Sequence, residues 1–275
     1  MKMKILILGY KGMLGHELVK EFKNDHELIL WDREQIDISR KEDTIKKVTD
    51  LGPDLVINAA AYTAVDEAEH NKDLVYKVNS CAVGFLATAC KEIDALFIHF
   101  STDYVFDGEN HNGYKENHLY NPINLYGKSK ALGEKMILDI SPKYYIIRTS
   151  WLFGKYGKNF IETMLRLARE NKEVRVVNDQ FGSPTYAKDL ASEVRKLVES
   201  ENRSGIYHIT NSGTCNWYEF AVQIFELSNL NIKVRPVKSE EFPTPAKRPT
   251  YSMLTNTKLP PMRKWEEALK DYLKK

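Results

Sequence analysis

The sequence predicts an α/β fold in which a doubly wound parallel sheet is joined by a smaller α/β lobe. Short apolar runs alternate with helix-length segments over residues 1–150, and a glycine-rich turn follows the first of these runs. Beyond residue 151 the alternation loosens. Parallel strands need crossover helices, and strands buried on both faces read as continuous apolar runs. The first part is therefore expected to be Rossmann-type.

In the first part we predict strands at residues 4–8, 27–32, 55–58, 95–100 and 144–148. Helices are predicted at residues 13–22, 41–51, 73–91 and 126–140, and a loop rich in glycine and asparagine at 107–122. Each apolar run is short and bounded by turn residues, as is typical of buried strands.

The second part is predicted to hold helices at residues 160–170, 188–199, 217–227 and 264–273 and strands at 174–177 and 206–209. Prolines punctuate residues 236–261, which favours a loop ordered by its contacts. We expect a dinucleotide-binding domain at residues 1–150. Residues 151–275 should be mainly a substrate-binding lobe, with some segments returning to the first domain.

The composition bounds the possible partners. The chain has 275 residues, of which 43% are hydrophobic and 28% charged, and its net charge is +2. So small a charge gives no electrostatic reason to expect nucleic acid or an anionic membrane as a partner. No apolar run approaches the roughly 20 residues that span a bilayer. The three cysteines are odd in number and lack metal-ligand spacing. We therefore expect a reduced, cytoplasmic protein.

The glycine-rich turn has the spacing G-x-x-G-x-x-G, at Gly9, Gly12 and Gly15, between the first strand and the first helix. Glycines here let the backbone approach a pyrophosphate, which the helix N-terminus attracts. The turn predicts a dinucleotide cofactor, with Gly9 and Gly12 among its contacts.

The second strand ends in Asp32 and Arg33, about 20 residues further on. Asp32 is placed to accept a hydrogen bond from a ribose 2′-hydroxyl, which favours NAD, whereas Arg33 could pair with a 2′-phosphate, which favours NADP. The choice between NADH and NADPH stays open. Asp37 and Ile38 follow where a loop could flank the adenine.

The third strand runs into the small residues Ala59, Ala60 and Ala61, which would leave room for a cofactor at its carboxyl end. Asn79, on the next predicted helix, is a further candidate for the cofactor site.

A proton-transfer pair is predicted on the helix at 126–140. Tyr126 and Lys130 lie four residues apart, on one face and one turn apart. An ammonium group beside a phenol favours phenolate, so we expect Lys130 to lower the pKa of Tyr126. Thr102, at the end of the fourth strand, is placed to hydrogen-bond a substrate carbonyl. The three residues together predict acid–base chemistry.

Taken together, these motifs resemble those of the extended short-chain dehydrogenase/reductases, and more closely the dTDP-4-dehydrorhamnose reductase family. The segments that carry the resemblance, in chain order, are NAAAYTAVDEAE (58–69), STDYVFDG (101–108), YGKSK (126–130), RTSWLFG (148–154), NDQFGSPT (178–185) and PAKRP (245–249).

The resemblance implies reduction of the C4 ketone of dTDP-4-dehydro-L-rhamnose, in dTDP-rhamnose biosynthesis, with NADPH or NADH as the cofactor. It implies a catalytic role for Thr102, Tyr126 and Lys130. The cofactor contacts it implies are Gly12, Met13, Leu14, Asp32, Asp37, Ile38, Ala61, Tyr62, Thr63, Tyr126 and Lys130. The substrate contacts it implies are Thr102, Asp103, Trp151, Gln180 and Arg248.

The chain departs from the family pattern at two places. Tyr62 stands where histidine is common. Some bacterial members bind Mg²⁺ between subunits through three glutamates, and here Glu17 and Glu266 match two of them while Lys188 takes the third position. An ammonium group repels a cation, so we expect no metal and leave monomer or homodimer open.

Two other functions stay open. One is a sugar-nucleotide epimerase or dehydratase of the same superfamily. The other is a non-catalytic partner protein that resembles the regulatory subunit of methionine adenosyltransferase.

Overall fold

A computed structural model describes residues 2–141, 143–200 and 202–274. Its strands are β1 (Lys4–Leu8), β2 (Glu27–Trp31), β3 (Leu55–Asn58), β4 (Leu96–Thr102), β5 (Tyr144–Thr149), β6 (Leu152–Phe153), β7 (Glu173–Val177), β8 (Phe181–Gly182), β9 (Thr185–Tyr186), β10 (Gly205–His208), β11 (Cys215–Asn216) and β12 (Lys233–Val237). Its α-helices are α1 (Met13–Phe22), α2 (Lys41–Leu51), α3 (Val65–Ala68), α4 (Lys72–Tyr76), α5 (Ala82–Glu92), α6 (Leu125–Ile140), α7 (Phe160–Glu170), α8 (Ala187–Glu199), α9 (Trp217–Leu227) and α10 (Trp265–Leu273).

Among these described residues, the central sheet has six parallel strands in the order β10-β5-β4-β3-β1-β2. From β1 the chain first builds outward to β2 and then turns back to add β3, β4 and β5 on the other side. The reversal opens a crevice at the carboxyl ends of β1 and β3, where ligands bind in open α/β sheets. The predicted doubly wound parallel sheet is confirmed.

Helices cover both faces of this sheet, because its strands are apolar on both sides. On one face Leu18 of α1 and Val194 of α8 are buried in one apolar cluster with Ile5. On the other face Val48 of α2 and Leu86 of α5 are buried in a second cluster. Because the apolar side chains on both faces of the strands must be buried, the parallel sheet lies between two layers of helices.

A third apolar cluster gathers residues from the second part of the chain, including Phe153, Met164, Phe220 and Trp265. The elements packed around this cluster are called the lobe below. Around the cluster, in the part of the chain that the structure describes, lie three two-stranded sheets, which pair β7 with β12, β8 with β11 and β6 with β9. The segment 187–208 leaves this cluster: α8 packs on α1, and β10 pairs with β5 at the edge of the central sheet.

Several predicted elements differ in detail. The helix predicted at 73–91 is divided into α4 and α5 by a π-helical turn at Lys77–Cys81. Such a turn inserts one residue into the helix, and the spacing of apolar residues did not reveal it. β12 was not predicted, because it contains Pro236. A two-stranded sheet tolerates that proline, since each of its strands is an edge. β4 continues through Thr102, because Ser101 and Thr102 still pair with β5.

In the ranges given above, none of the helices is both long and apolar enough to cross a bilayer.

Candidate active site

Two cavities open along the carboxyl edge of the central sheet and share Gly12, Ala59 and Ala61 in their walls. The first, of about 760 Å³, lies over the glycine turn and the end of β2. The second, of about 610 Å³, lies between the end of β4, the start of α6 and the aromatic side chains of the lobe. Together they form one cleft at the point where the strand order reverses.

The glycine turn forms the floor of the cleft. Gly9 has φ +75°, and a Cβ added there would lie 2.8 Å from the backbone nitrogen of Ala60. Only glycine fits both requirements. Gly12, which precedes α1, has no side chain to cap the helix, so the N–H groups of its first turn are open to an anion. Met13 and Leu14 follow and line the second cavity.

Asp32, Arg33, Asp37 and Ile38 line the far end of the first cavity. The Asp32 carboxylate accepts a hydrogen bond from the backbone N–H of Arg33 at 2.7 Å. A hydrogen bond from Ser39 holds the pKa of Asp37 below its usual value. Both carboxylates are therefore engaged in their own turns.

Cations in the same wall are Arg33, which is exposed, Lys77, and Lys11, which pairs with Glu34 at 2.8 Å. They give this end of the cavity a basic side.

Asn79 lies behind the wall of the cleft and is 1% exposed. Its carboxamide accepts from the Tyr62 N–H at 2.9 Å and donates to the Tyr62 carbonyl at 3.0 Å and to Ser129 Oγ at 3.1 Å. It thereby fastens the loop after β3 to α6. In that loop, Ala59, Ala60 and Ala61 line the first cavity and Thr63 lines the second.

The second cavity brings Thr102, Tyr126 and Lys130 together. Asn124 caps α6 by accepting from the Gly127 N–H at 2.8 Å, which fixes the first turn that carries Tyr126. A Cβ on Gly127 would collide with the carbonyl of Tyr104, so glycine lets the helix pack closely on the turn after β4.

Thr102 and Asp103 form a hydrogen-bonded pair at the end of β4. The Thr102 hydroxyl accepts from the Tyr104 N–H at 3.1 Å and donates to Asp103 Oδ1 at 2.9 Å. Burial raises the pKa of Asp103 to about 6. Both side chains line the cavity. A substrate carbonyl that entered it could therefore replace Asp103 as the acceptor of the Thr102 hydroxyl hydrogen.

The predicted effect of Lys130 on Tyr126 is wrong in direction. Burial, with a smaller contribution from the charge of Asp103, raises the pKa of Tyr126 to about 12. Lys130 instead contacts His99 Nε2 at 3.0 Å and the carbonyl of Phe100 at 2.5 Å. Burial lowers the pKa of Lys130 to about 8. Desolvation therefore outweighs any attraction between the two groups.

An aromatic wall closes the lobe side of the second cavity. Trp151 and Trp217 stack with their ring centroids 3.5 Å apart and their planes 6° apart. Trp151 has φ +46°, a conformation that costs free energy in a bulky residue and is found at functional sites. Lys158 adds a cation to the same lining.

Sequence reasoning found Trp151 and missed Trp217 and Lys158. The pattern Asn216-x-x-Glu219 forms a capping box that supports the predicted start of a helix at Trp217, but it carries no signal that this side chain lines the cavity.

Among the described residues, the lining of the two cavities includes neither Gln180 nor Arg248. Gln180 donates to Ser239 Oγ at 2.9 Å. Arg248 forms a two-pronged ion pair with Asp66 of α3, with Nη2 to Oδ2 at 2.7 Å. Arg248 therefore holds the loop at 243–250 against α3, and it is not a freely solvated surface arginine.

Two of the three positions considered for a metal are engaged in ion pairs, and the third, Glu266, has a buried oxygen without a hydrogen-bond partner among the described residues. Glu17 pairs with Lys20 at 3.0 Å, and Lys188 pairs with Asp271 at 3.3 Å. Within the described ranges, no group of three or more histidine, cysteine, aspartate or glutamate side chains is arranged to hold a metal ion.

Comparison with known proteins identifies the family. The family model described as RmlD substrate binding domain matches residues 3–275. The chain is 42% identical to the spore coat polysaccharide biosynthesis protein SpsK of Bacillus subtilis, over 98% of this chain and 96% of that protein. It is 40% identical to the dTDP-4-dehydrorhamnose reductase of Aggregatibacter actinomycetemcomitans, over 98% and 97%.

Solved structures agree with this. A dTDP-4-dehydrorhamnose reductase from Bacillus anthracis in complex with NADP superposes with a TM-score of 0.96 at 40% identity, over 99% of each chain. A UDP-glucose 4-epimerase from Thermus thermophilus reaches 0.80 at 18% identity, which shows the shared fold alone. The chain therefore belongs to the RmlD substrate-binding-domain family, with the dTDP-4-dehydrorhamnose reductases, within the short-chain dehydrogenase/reductase superfamily.

Proposed function

We propose that this protein reduces the C4 ketone of dTDP-4-dehydro-L-rhamnose to dTDP-L-rhamnose, with NADPH or NADH as the hydride donor. The observation that carries the proposal is the convergence of Thr102, Tyr126 and Lys130 on one cavity that opens from the glycine turn. Relatives named for this reaction, matched over nearly their full length, support the choice of substrate.

The cleft fits the cofactor. The first cavity would take the adenosine end, and the N–H groups at the start of α1 would hold the pyrophosphate. We propose NADPH as the preferred donor, because the Asp32 carboxylate is bound within its own turn while Arg33 is exposed and free to reach a 2′-phosphate. The NADP in the Bacillus anthracis relative supports this choice.

The bound cofactor supplies the hydride, and the chain supplies position and a proton. Tyr126 keeps its proton at neutral pH, since its pKa is raised to about 12, and it would donate that proton as the ketone oxygen becomes an alkoxide. Thr102 would turn its hydroxyl from Asp103 to the ketone oxygen and hold it in place. Lys130 would hold the nicotinamide ribose.

The substrate would lie against the lobe. Trp151 and Trp217 offer a flat apolar wall, and Lys158 a cation for the diphosphate. Asp103 would accept from a sugar hydroxyl. Arg248 and Gln180 would act indirectly, by holding the loops around the site. We retain residues 1–150 as the proposed dinucleotide-binding domain and 151–275 as mainly the substrate-binding lobe.

The test is to follow absorbance of NADPH and of NADH, each in turn, with enzymatically made dTDP-4-dehydrorhamnose. We expect oxidation of the cofactor in step with formation of dTDP-L-rhamnose, and no oxidation with either cofactor would defeat the proposal. Copurified NAD without net oxidation of added NADPH would favour an epimerase or dehydratase. Recovery of a synthetase in a pull-down, without ketosugar reduction, would favour a regulatory subunit.

The cytoplasmic location and the monomeric or homodimeric state stay predictions. Cell fractionation would test the first, and size-exclusion chromatography with light scattering would test the second.

A further inference from the structure

A chain of buried polar groups runs from the cofactor cavity to Lys130. The backbone N–H of Ala60, in the wall of the first cavity, donates to Asn58 Oδ1 at 3.1 Å. Asn58 Nδ2 lies 3.1 Å from His99 Nδ1, and His99 Nε2 lies 3.0 Å from Lys130 Nζ. Asn58, His99 and Lys130 are each at most 1% exposed, so the polarity of each hydrogen bond matters.

The direction of every bond follows from the first. A backbone N–H can only donate, so the oxygen of Asn58 must face Ala60 and its NH₂ group must face His99. An NH₂ group can only donate here, so His99 Nδ1 must accept. A neutral imidazole then carries its proton on Nε2, the nitrogen that faces Lys130.

Lys130, the last group in this series of hydrogen bonds, must then supply a lone pair. An ammonium group has three donors and no acceptor, whereas a neutral amine can accept from His99 and still donate to the Phe100 carbonyl, 2.5 Å away. A charged Lys130 needs the opposite polarity, with the His99 proton on Nδ1 and the Asn58 amide turned over. That rotation leaves the Ala60 N–H without its acceptor.

We propose that His99 is a positioning residue whose tautomer, set through Asn58 by the backbone N–H of Ala60, decides whether Lys130 rests against it as a neutral amine or as an ammonium ion. These hydrogen bonds couple the wall of the first cavity, at Ala60, to the charge on Lys130. Their effect on catalysis rests on the role proposed above for Lys130. Proton balance is simple: charging Lys130 takes up one proton, and His99 stays neutral, with its proton moved from Nε2 to Nδ1.

The surrounding charges are consistent with this arrangement. Glu134, one turn along α6, favours the charged form of Lys130, but it is held in a buried ion pair with Arg148 at 2.7 Å. Tyr126 and Asp103 line the same cavity. Burial and the charge of Lys130 lower the pKa of His99 well below its usual value, which keeps the imidazole neutral.

The experiment is ¹⁵N NMR of the cofactor-free full chain labelled at histidine, recorded across a pH series. The protein has seven histidines, and the His99 signals are assigned by their loss in His99→Gln. We expect the Nε2–H tautomer above the Lys130 titration, whose pKa is about 8, and the Nδ1–H tautomer below it. A single tautomer throughout, or an imidazolium at pH 6, would overturn the proposal.

Two variants test separately the two hydrogen-bond partners of His99, Lys130 and Asn58. Lys130→Met removes the group that titrates, so His99 should keep the Nε2–H tautomer at every pH. Asn58→Asp can accept from both Ala60 and His99 Nδ1, so it should hold the Nδ1–H tautomer at every pH. A pH-dependent tautomer in Lys130→Met would show that another group controls His99. Because these readouts need no substrate, they stand even if the proposed reduction fails.

Discussion

Glu134→Gln should destabilise the fold more than any surface substitution, because Glu134 is the anion of a buried network. Its carboxylate accepts from Arg148 Nη2 at 2.7 Å, from Arg148 Nε at 3.0 Å, from Tyr120 Oη at 2.9 Å and from Ser101 Oγ. The Arg148 and Glu134 side chains are 1% and 0% exposed. Glutamine keeps one acceptor but turns an NH₂ group toward these donors.

The expected loss follows from the burial. Removing one partner of a buried pair leaves the other charge uncompensated and costs about 3–5 kcal/mol. The total free energy of unfolding of a domain is about 5–15 kcal/mol, so the variant should lose a large share of it. Glu134→Leu combined with Arg148→Met should recover much of the loss, because both charges are then gone.

Guanidinium denaturation monitored by circular dichroism measures the change, with the slope checked for two-state behaviour. Asp50→Asn is the matched control, because Asp50 pairs with Lys46 at 2.6 Å on the surface, where the side chains are 63% and 75% exposed. That control should cost at most about 1 kcal/mol. A cost for Glu134→Gln no larger than that of the control would refute the reasoning.

The remaining predictions concern the cleft. Tyr126→Phe should lower kcat by about 10²-fold or more while NADPH affinity, followed by fluorescence, stays nearly unchanged; wild-type kcat would remove the acid role. Burial raises the pKa of Asp103 to about 6, above its usual value near 3.9. The charged carboxylate therefore destabilises the fold above about pH 6, and this penalty vanishes as the pH falls to about 4. Asp103→Asn should therefore stabilise the fold by about 2–3 kcal/mol at pH 7 and by almost nothing at pH 4 in denaturant titrations, and an equal gain at both pH values would contradict this linkage. Arg33→Ala should raise KM for NADPH about tenfold and leave KM for NADH unchanged. Arg40→Ala, at a neighbouring exposed arginine, is its control, and equal effects on the two cofactors would argue against a 2′-phosphate contact.

The sequence was most informative where a short stretch of residues determines the local structure by itself. Apolar runs predicted the strands of the central sheet, and for β1, β3, β4 and β5 this is because burial on both faces leaves no room for alternation. The glycine spacing predicted the turn over which the cofactor cavity lies, because the positive φ that Gly9 adopts is a requirement of the turn itself. The spacing of Tyr126 and Lys130, with Thr102 at the end of β4, predicted residues that the fold brings into one cavity.

What the sequence missed depends on distant partners. Lys130 turns to His99 and Phe100, about 30 residues earlier in the chain, so its spacing from Tyr126 gave the wrong sign for the Tyr126 pKa. Trp217 stacks on Trp151 across the lobe. Arg248 pairs with an aspartate 182 residues away. No periodicity carries such information, because each contact exists only after the sheet and lobe have assembled.

The position of β10 at the sheet edge has a consequence for how the chain is made. β10 pairs with β5 only after the intervening lobe residues have left the ribosome, and the Ile209 N–H then donates to the Arg148 carbonyl at 3.0 Å. Until that moment β5 is an open edge, a template for pairing with another chain. A nascent chain from which β5 but not β10 has emerged should therefore need chaperone protection, and the isolated segment 1–150 should aggregate.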